Sequence, residues 1–169
     1  MTALLAALAT ALAAAPPAPS NPALERERVA IANELIGLGA AVQRDVERAD
    51  GAALLARVPK NGLRCGARRI PRARVERDLA NPKSWLHGML FGGPGYTPIT
   101  GGSRSLRAFF AEAREIAVLV GFQRDARAGP VGRPCLEYRA PNVPAPAFPL
   151  CFERRDGAWW FADSLYPCG

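Results

Sequence analysis

The feature that most restricts how this chain can fold is a tight turn near its C-terminus, Asp156-Gly157, between two short apolar segments. Asp-Gly in this setting is a strong signal for a two-residue hairpin loop, and such a loop fixes the register of both strands. Phe152 then lies opposite Phe161. Because side chains alternate between the two faces of a strand, one face is predicted to carry Leu150, Phe152, Trp159, Phe161, Asp163 and Leu165.

The segment before this hairpin is predicted to be a third strand of the same sheet. If Cys135 lies opposite Cys151, the next residues that face each other are Leu136 with Leu150 and Tyr138 with Phe148. All three strands then contribute to one apolar face. The proposed bridge lies on the opposite face of the sheet.

The cysteines form an even set of four, which in an oxidising compartment indicates two disulfide bonds. The shared apolar face favours a bridge between Cys135 and Cys151, which leaves Cys65 to pair with Cys168. Four cysteines allow three pairings, and the sequence leaves the other two open.

Residues 20–50 carry the strongest helical pattern in the chain. Asn21 can cap the helix and Pro22 suits its first turn. One apolar stripe is predicted, made of Ile31, Leu35, Leu38, Val42 and Val46. Gly37 and Gly39 each cost about 1 kcal/mol relative to alanine, so we expect this helix to need a sheet to lie on.

The middle of the chain has weaker patterns. Residues 61–79 are predicted to be irregular extended chain, with turns at Asn61-Gly62 and Cys65-Gly66. Residues 85–91 form an apolar segment that ends at a glycine-rich loop.

A short helix and a strand follow that loop. Ser103 or Ser105 can cap the helix, whose buried side is predicted to be Leu106, Phe109 and Phe110. Residues 116–122 are rich in β-branched side chains and are predicted to be a buried strand. The fold class expected is α+β, with a long N-terminal helix packed on a curved antiparallel sheet and a C-terminal β-hairpin.

The first residues have the layout of a secretory leader: an uncharged apolar run, small residues and then prolines. We therefore predict a signal peptide over residues 1–15, a short linker over 16–21 and one domain over 22–169, in a periplasmic or secreted protein. The alternative is an N-terminal extension of a cytosolic protein. No later segment reaches the roughly 20 apolar residues of a membrane-spanning helix.

The formal net charge is +7, and all but two of the 22 basic residues are arginine. Clusters of arginine, such as the main one over residues 64–78, can neutralise nucleic-acid phosphates. Here Glu76 and Asp78 interrupt the main cluster, and a secreted protein rarely meets nucleic acid, so nucleic-acid binding is disfavoured. With one histidine, His87, and no Cys-x-x-Cys pair, neither a metal site nor a cofactor is predicted.

Three stretches, GLRCGARRIPRARV, PGYTPITGGSRSLRAFF and FPLCFERRDGAWWFADSLY, together resemble secreted members of the nuclear transport factor 2-like, or SnoaL-like, superfamily. The resemblance implies a curved sheet that wraps a helix and leaves a concave apolar pocket. Some members catalyse isomerase, cyclase or dehydratase reactions, and many only bind or dimerise. The residues expected to line this pocket are Leu136, Tyr138, Phe148, Leu150, Phe152, Trp159 and Phe161.

Three side chains are candidates for catalysis. Asp163 could act as a base with a raised pKa, Tyr138 could donate a hydrogen bond to an oxyanion, and His87 could transfer a proton. Each also has a structural alternative: a solvated or arginine-paired acid, a core tyrosine and a hydrogen-bonded packing histidine.

The leading hypothesis is a non-catalytic binding domain for a small apolar ligand, a peptide or a second copy of the chain. The first rival is a small isomerase- or dehydratase-like enzyme that uses Asp163 with Tyr138 or His87. The second is an interaction protein whose arginine-rich surface meets the anionic cell envelope.

Overall fold

The computed structural model describes residues 21–94, 104–146, 149–162 and 165–166. Residues 1–20, which contain the predicted leader, lie outside this range. So do Phe148, Asp163 and Cys168.

The described part of the chain starts with the predicted long helix, α1, Pro22–Glu47. The Asn21 side chain accepts hydrogen bonds from the backbone N–H groups of Ala23 and Leu24, so the predicted cap is confirmed. The predicted apolar stripe faces the core, with Leu35, Val42 and Val46 fully buried. A short helix, α2, Gly51–Ala56, follows and is capped by Asp50.

The region predicted to be irregular extended chain instead forms regular secondary structure. It contains a hairpin of β1, Leu63–Cys65, and β2, Arg68–Ile70, followed by helix α3, Arg72–Ala80. The prediction was wrong over α3 because this helix is only nine residues long and has no side-chain cap. Its two buried residues, Val75 and Leu79, are four apart and supply one helical face.

Two short helices come next, and each has a serine N-cap. They are α4, Trp85–Phe91, capped by Ser84, and α5, Leu106–Glu112, capped by Ser105. The predicted second helix is therefore confirmed, and Ser105 is its cap. The residues predicted for its buried side, Leu106, Phe109 and Phe110, are all buried.

The last four strands form an antiparallel sheet in the order β3-β4-β5-β6. Its strands are β3, Ala117–Gln123, β4, Arg133–Arg139, β5, Leu150–Arg155, and β6, Ala158–Phe161. The register predicted from the Asp-Gly turn is confirmed, because Phe152 pairs with Phe161 and Arg154 with Trp159. The fold class is thus α+β, with a long N-terminal helix and a C-terminal hairpin.

Strand β3 is at the edge of the sheet and is less buried than predicted. Its side chains alternate between more and less exposed positions, and Leu119 is 42% exposed. The prediction of a fully buried strand was wrong because the strand is covered on one face only, where Val118 approaches α1.

The back of the sheet carries the predicted disulfide. Cys135 is bonded to Cys151, directly opposite in the register, and both pack with Ala162 in a small separate cluster. Cys65 is also disulfide-bonded, and its predicted partner lies outside the described residues.

The helix and the sheet approach each other most closely at Gly39. A Cβ atom at this position would lie 2.9 Å from the Val118 Cγ1 atom and 3.4 Å from the Leu136 Cδ1 atom. The Tyr138 hydroxyl donates a hydrogen bond to the Gly39 carbonyl oxygen over 2.8 Å. Gly39 therefore allows the helix backbone to touch the sheet, which explains its presence in a helix interior. Gly37, in contrast, is exposed, and a Cβ there would meet nothing within 4 Å.

We expect substitution by alanine to have opposite effects on stability at Gly37 and at Gly39. Gly37→Ala should raise the free energy of unfolding by up to about 1 kcal/mol, because alanine has the higher helix propensity. Gly39→Ala should lower it, because overpacking against Val118 and Leu136 costs about 1–3 kcal/mol and outweighs the propensity gain. Chemical denaturation of both variants measures this difference. Equal stabilisation by the two substitutions would contradict the close contact.

Candidate functional site

A pocket of about 360 Å³ lies where α1, the β1–β2 hairpin, the β3–β4 connection and the β5–β6 hairpin converge. This volume is within the usual range for small-molecule sites. Eighteen residues line the pocket, and they mix apolar with charged side chains. Two other depressions, of about 370 and 490 Å³, are lined by only seven and eight residues.

Trp159 is the aromatic residue of the lining that makes polar contacts, and with Ile31 it forms the apolar wall of the pocket. Trp159 is fixed by its indole N–H, which donates to the Glu34 carboxylate over 2.9 Å, and by Arg154, whose guanidinium lies 5.7 Å from the ring centroid. The other apolar residues of the lining are Ile31, Val131, Pro134, Phe152 and Ala162.

Six arginines and three acids line the pocket, and only half of the arginines have a carboxylate partner among the described residues. The paired arginines are Arg133 with Asp125, Arg154 with Glu34 at 3.3 Å, and Arg155 with Glu153 at 2.5 Å. Arg64, Arg69 and Arg127 have no such pair in this part of the chain. The Arg69 guanidinium donates instead to the Asn61 carbonyl oxygen over 3.2 Å.

Asp125, an acid of the lining, is held in its charged form by its neighbours. The backbone N–H of Arg127 donates to its carboxylate over 2.9 Å, and this bond lowers the pKa of Asp125 below its usual value. The nearby positive charges of Arg133, Arg127 and Arg64 lower the pKa further, and partial burial opposes them. Asp125 is therefore an ionised structural partner of Arg133 at neutral pH.

The connection that carries Asp125 depends on a glycine where it re-enters the sheet. Gly132 has a φ of +85°, and a Cβ atom there would lie 2.7 Å from the Gln123 carbonyl oxygen. Other residues rarely adopt this conformation, and here they would also clash with backbone. Gly132 thus sets how closely this wall of the pocket approaches β3.

The structure divides the residues that were predicted to line a pocket. Phe152 and Trp159 do line it, and Phe152 is fully buried. Leu136, Leu150 and Phe161 are at most 1% exposed and belong to the core cluster beneath α1. Phe148 lies outside the described residues.

Of the candidate catalytic residues, Tyr138 and His87 do not line this pocket. Tyr138 is 3% exposed, and its hydroxyl donates a hydrogen bond to the Gly39 carbonyl oxygen. Burial raises the pKa of this hydroxyl. The Nδ1 atom of His87 donates to the Leu79 carbonyl oxygen over 2.6 Å, and its ring packs edge-on against Phe91. Asp163 lies outside the described residues.

The charged part of the pocket was not predicted from the sequence, although one signal for it was present. The turn noted at Cys65-Gly66 places Arg64 directly opposite Arg69, on the same face of a hairpin. The contribution of Arg127 depends on the β3–β4 connection folding back toward this hairpin, which no local pattern indicates.

Among the helices of the described residues, none combines the length and apolarity needed to cross a membrane. Within the same ranges, no group of three or more histidine, cysteine, aspartate or glutamate side chains is placed to hold a metal ion. Comparison of the chain with protein-family models, curated proteins and solved structures finds no match.

Proposed function

We propose that this protein is a non-catalytic binding domain, stabilised by disulfides, whose pocket between α1 and the two hairpins holds a small molecule. The observation that carries the proposal is the pre-positioned apolar wall, where Trp159 is fixed by both Glu34 and Arg154. Contacts that orient an aromatic side chain before a ligand arrives lower the ordering cost of binding.

The described residues favour binding over catalysis. A general acid or base must be free to exchange a proton with a substrate. Tyr138 and His87 each donate to a backbone carbonyl, and Asp125 is bound to Arg133. These groups have structural roles, and their positions supply no acid–base pair at the apolar wall.

We also propose that the chain belongs with the nuclear transport factor 2-like proteins. Support comes from the order of its elements, with a long helix first and an antiparallel sheet last, packed against that helix. A pocket beside this helix is what the resemblance implies. In this chain, however, the pocket is lined by charged as well as apolar residues.

We place the protein in the periplasm or outside the cell. The Cys135–Cys151 bond supports this location, because structural disulfides persist mainly in oxidising compartments. The apolar N-terminal run is the segment that would direct export.

Export can be tested by fusing the full chain to alkaline phosphatase, which is active only after it reaches an oxidising compartment. We expect an active fusion in a bacterial host and loss of activity when residues 2–15 are deleted. Equal activity with and without these residues would contradict export by this segment. A fusion to maltose-binding protein with its own signal peptide removed is the negative control.

Binding can be tested with N-phenyl-1-naphthylamine, a neutral apolar probe whose fluorescence rises in apolar surroundings. We expect saturable binding to the wild-type protein. Ala128→Phe, which adds a ring to a pocket-lining position, should weaken binding about tenfold or more, because it fills the volume that the probe needs. Ala126→Phe adds the same ring on an exposed position of the same connection, outside this lining, and should leave binding unchanged.

Thermal unfolding of both variants shows whether each retains the fold. If the probe does not bind the folded wild-type protein, or if Ala128→Phe and Ala126→Phe bind it equally, this pocket is not the binding site.

A further inference from the structure

We infer that the pocket selects a small organic anion, with an apolar body against Trp159 and a carboxylate or similar group against Arg64. This inference rests on the proposed binding function and adds the chemical class of the ligand. It is carried by the arrangement of cations on the wall formed by the β1–β2 hairpin and the β3–β4 connection.

The first observation is a pair of like charges that face each other across the β1–β2 hairpin. Arg64 and Arg69 are directly opposite in the register, so both side chains leave the same face, and both line the pocket. Directly opposed like charges destabilise a strand pair. An anion bound between or beside the two guanidinium groups would remove this repulsion.

The second observation is that Arg64 lacks a partner within the described part of the chain. It is half-buried, yet no hydrogen bond or ion pair to another described residue engages its guanidinium. A partly desolvated guanidinium without a partner is costly, and its planar fork matches a carboxylate in a bidentate arrangement. Arg64 is therefore the cation most available to a ligand.

Asp125, the acid of the β3–β4 connection, does not neutralise this wall. Asp125 lies close enough for Arg64 to lower its pKa, but its carboxylate is already bound by Arg133 and by the backbone N–H of Arg127. The Arg127 side chain adds a third cation without a carboxylate partner among the described residues. Glu27, an exposed acid of the lining, comes from α1 rather than from this wall.

The apolar wall and the cationic wall together define an amphipathic ligand. Trp159 and Ile31 offer contact to a ring or an aliphatic chain, while Arg64 and Arg69 face its charged group. Small-molecule sites commonly combine an apolar lining with a few polar groups that fix orientation. A neutral ligand would leave the cationic wall uncompensated.

Two fluorescent probes with the same aromatic frame test this selectivity. 8-Anilino-1-naphthalenesulfonate is N-phenyl-1-naphthylamine with an added sulfonate, so the ratio of their dissociation constants isolates the effect of the anionic group. At low ionic strength we expect the sulfonate to bind the wild-type protein about tenfold more tightly, the size of one charge-assisted hydrogen bond. Added salt should reduce this ratio.

Matched variants locate the effect at Arg64. Arg64→Gln should remove most of the sulfonate preference, measured as the ratio of the two dissociation constants. Its melting temperature should not fall, because the substitution relieves the repulsion with Arg69. Arg68→Gln makes the same charge change at an exposed position outside the pocket lining, opposite Cys65 in the same hairpin, and should retain the preference.

The outcomes separate this inference from the function on which it rests. If both probes bind equally and Ala128→Phe still blocks them, the pocket binds ligands but does not select anions, and the inference is overturned. An equal loss of preference in Arg64→Gln and Arg68→Gln would overturn it too, since net surface charge would then be the cause. If neither probe binds, the proposed function itself fails.

Discussion

The structure depends most on the close approach of α1 to the sheet at Gly39. Without a side chain at this position, Val118 and Leu136 reach the helix backbone, and the buried Tyr138 hydroxyl finds an acceptor there. A buried hydroxyl without a partner would cost about 1–3 kcal/mol, so the hydrogen bond and the close packing support each other. The same contact explains how a helix with two interior glycines is stable, since tertiary packing replaces the helix propensity that they lack.

This contact also sets where the pocket lies. With α1 packed on the sheet at Gly39, Glu34 lies about one and a half turns toward the helix N-terminus, where its carboxylate contacts Trp159 and Arg154 of the C-terminal hairpin. Farther toward the N-terminus, Arg28 donates to the Val131 carbonyl oxygen over 3.1 Å and so fixes the β3–β4 connection. The C-terminal half of the helix, with Leu35, Val42 and Val46, builds the core, and its N-terminal half contacts the pocket walls.

The sequence predicted those parts of the fold that are specified by local chemistry. The Asp156-Gly157 turn specified the β5–β6 register, because a two-residue loop leaves little freedom. The Cys135–Cys151 pair was favoured separately, by the apolar face that the last three strands share. Helix α3 was missed because its apolar pattern is only two residues, Val75 and Leu79. The cationic wall was missed because it forms between segments some sixty residues apart, whose proximity depends on how they pack against α1 and the sheet.

The most direct measurement of the central contact is a nuclear Overhauser experiment on isotopically labelled protein. We expect strong cross-peaks from the Gly39 Hα protons to the Val118 and Leu136 methyl groups, together with a slowly exchanging Tyr138 hydroxyl proton. If these methyl groups instead showed cross-peaks to another face of α1 and none to Gly39, the helix would be seated differently, and the pocket walls that it positions would not converge as described.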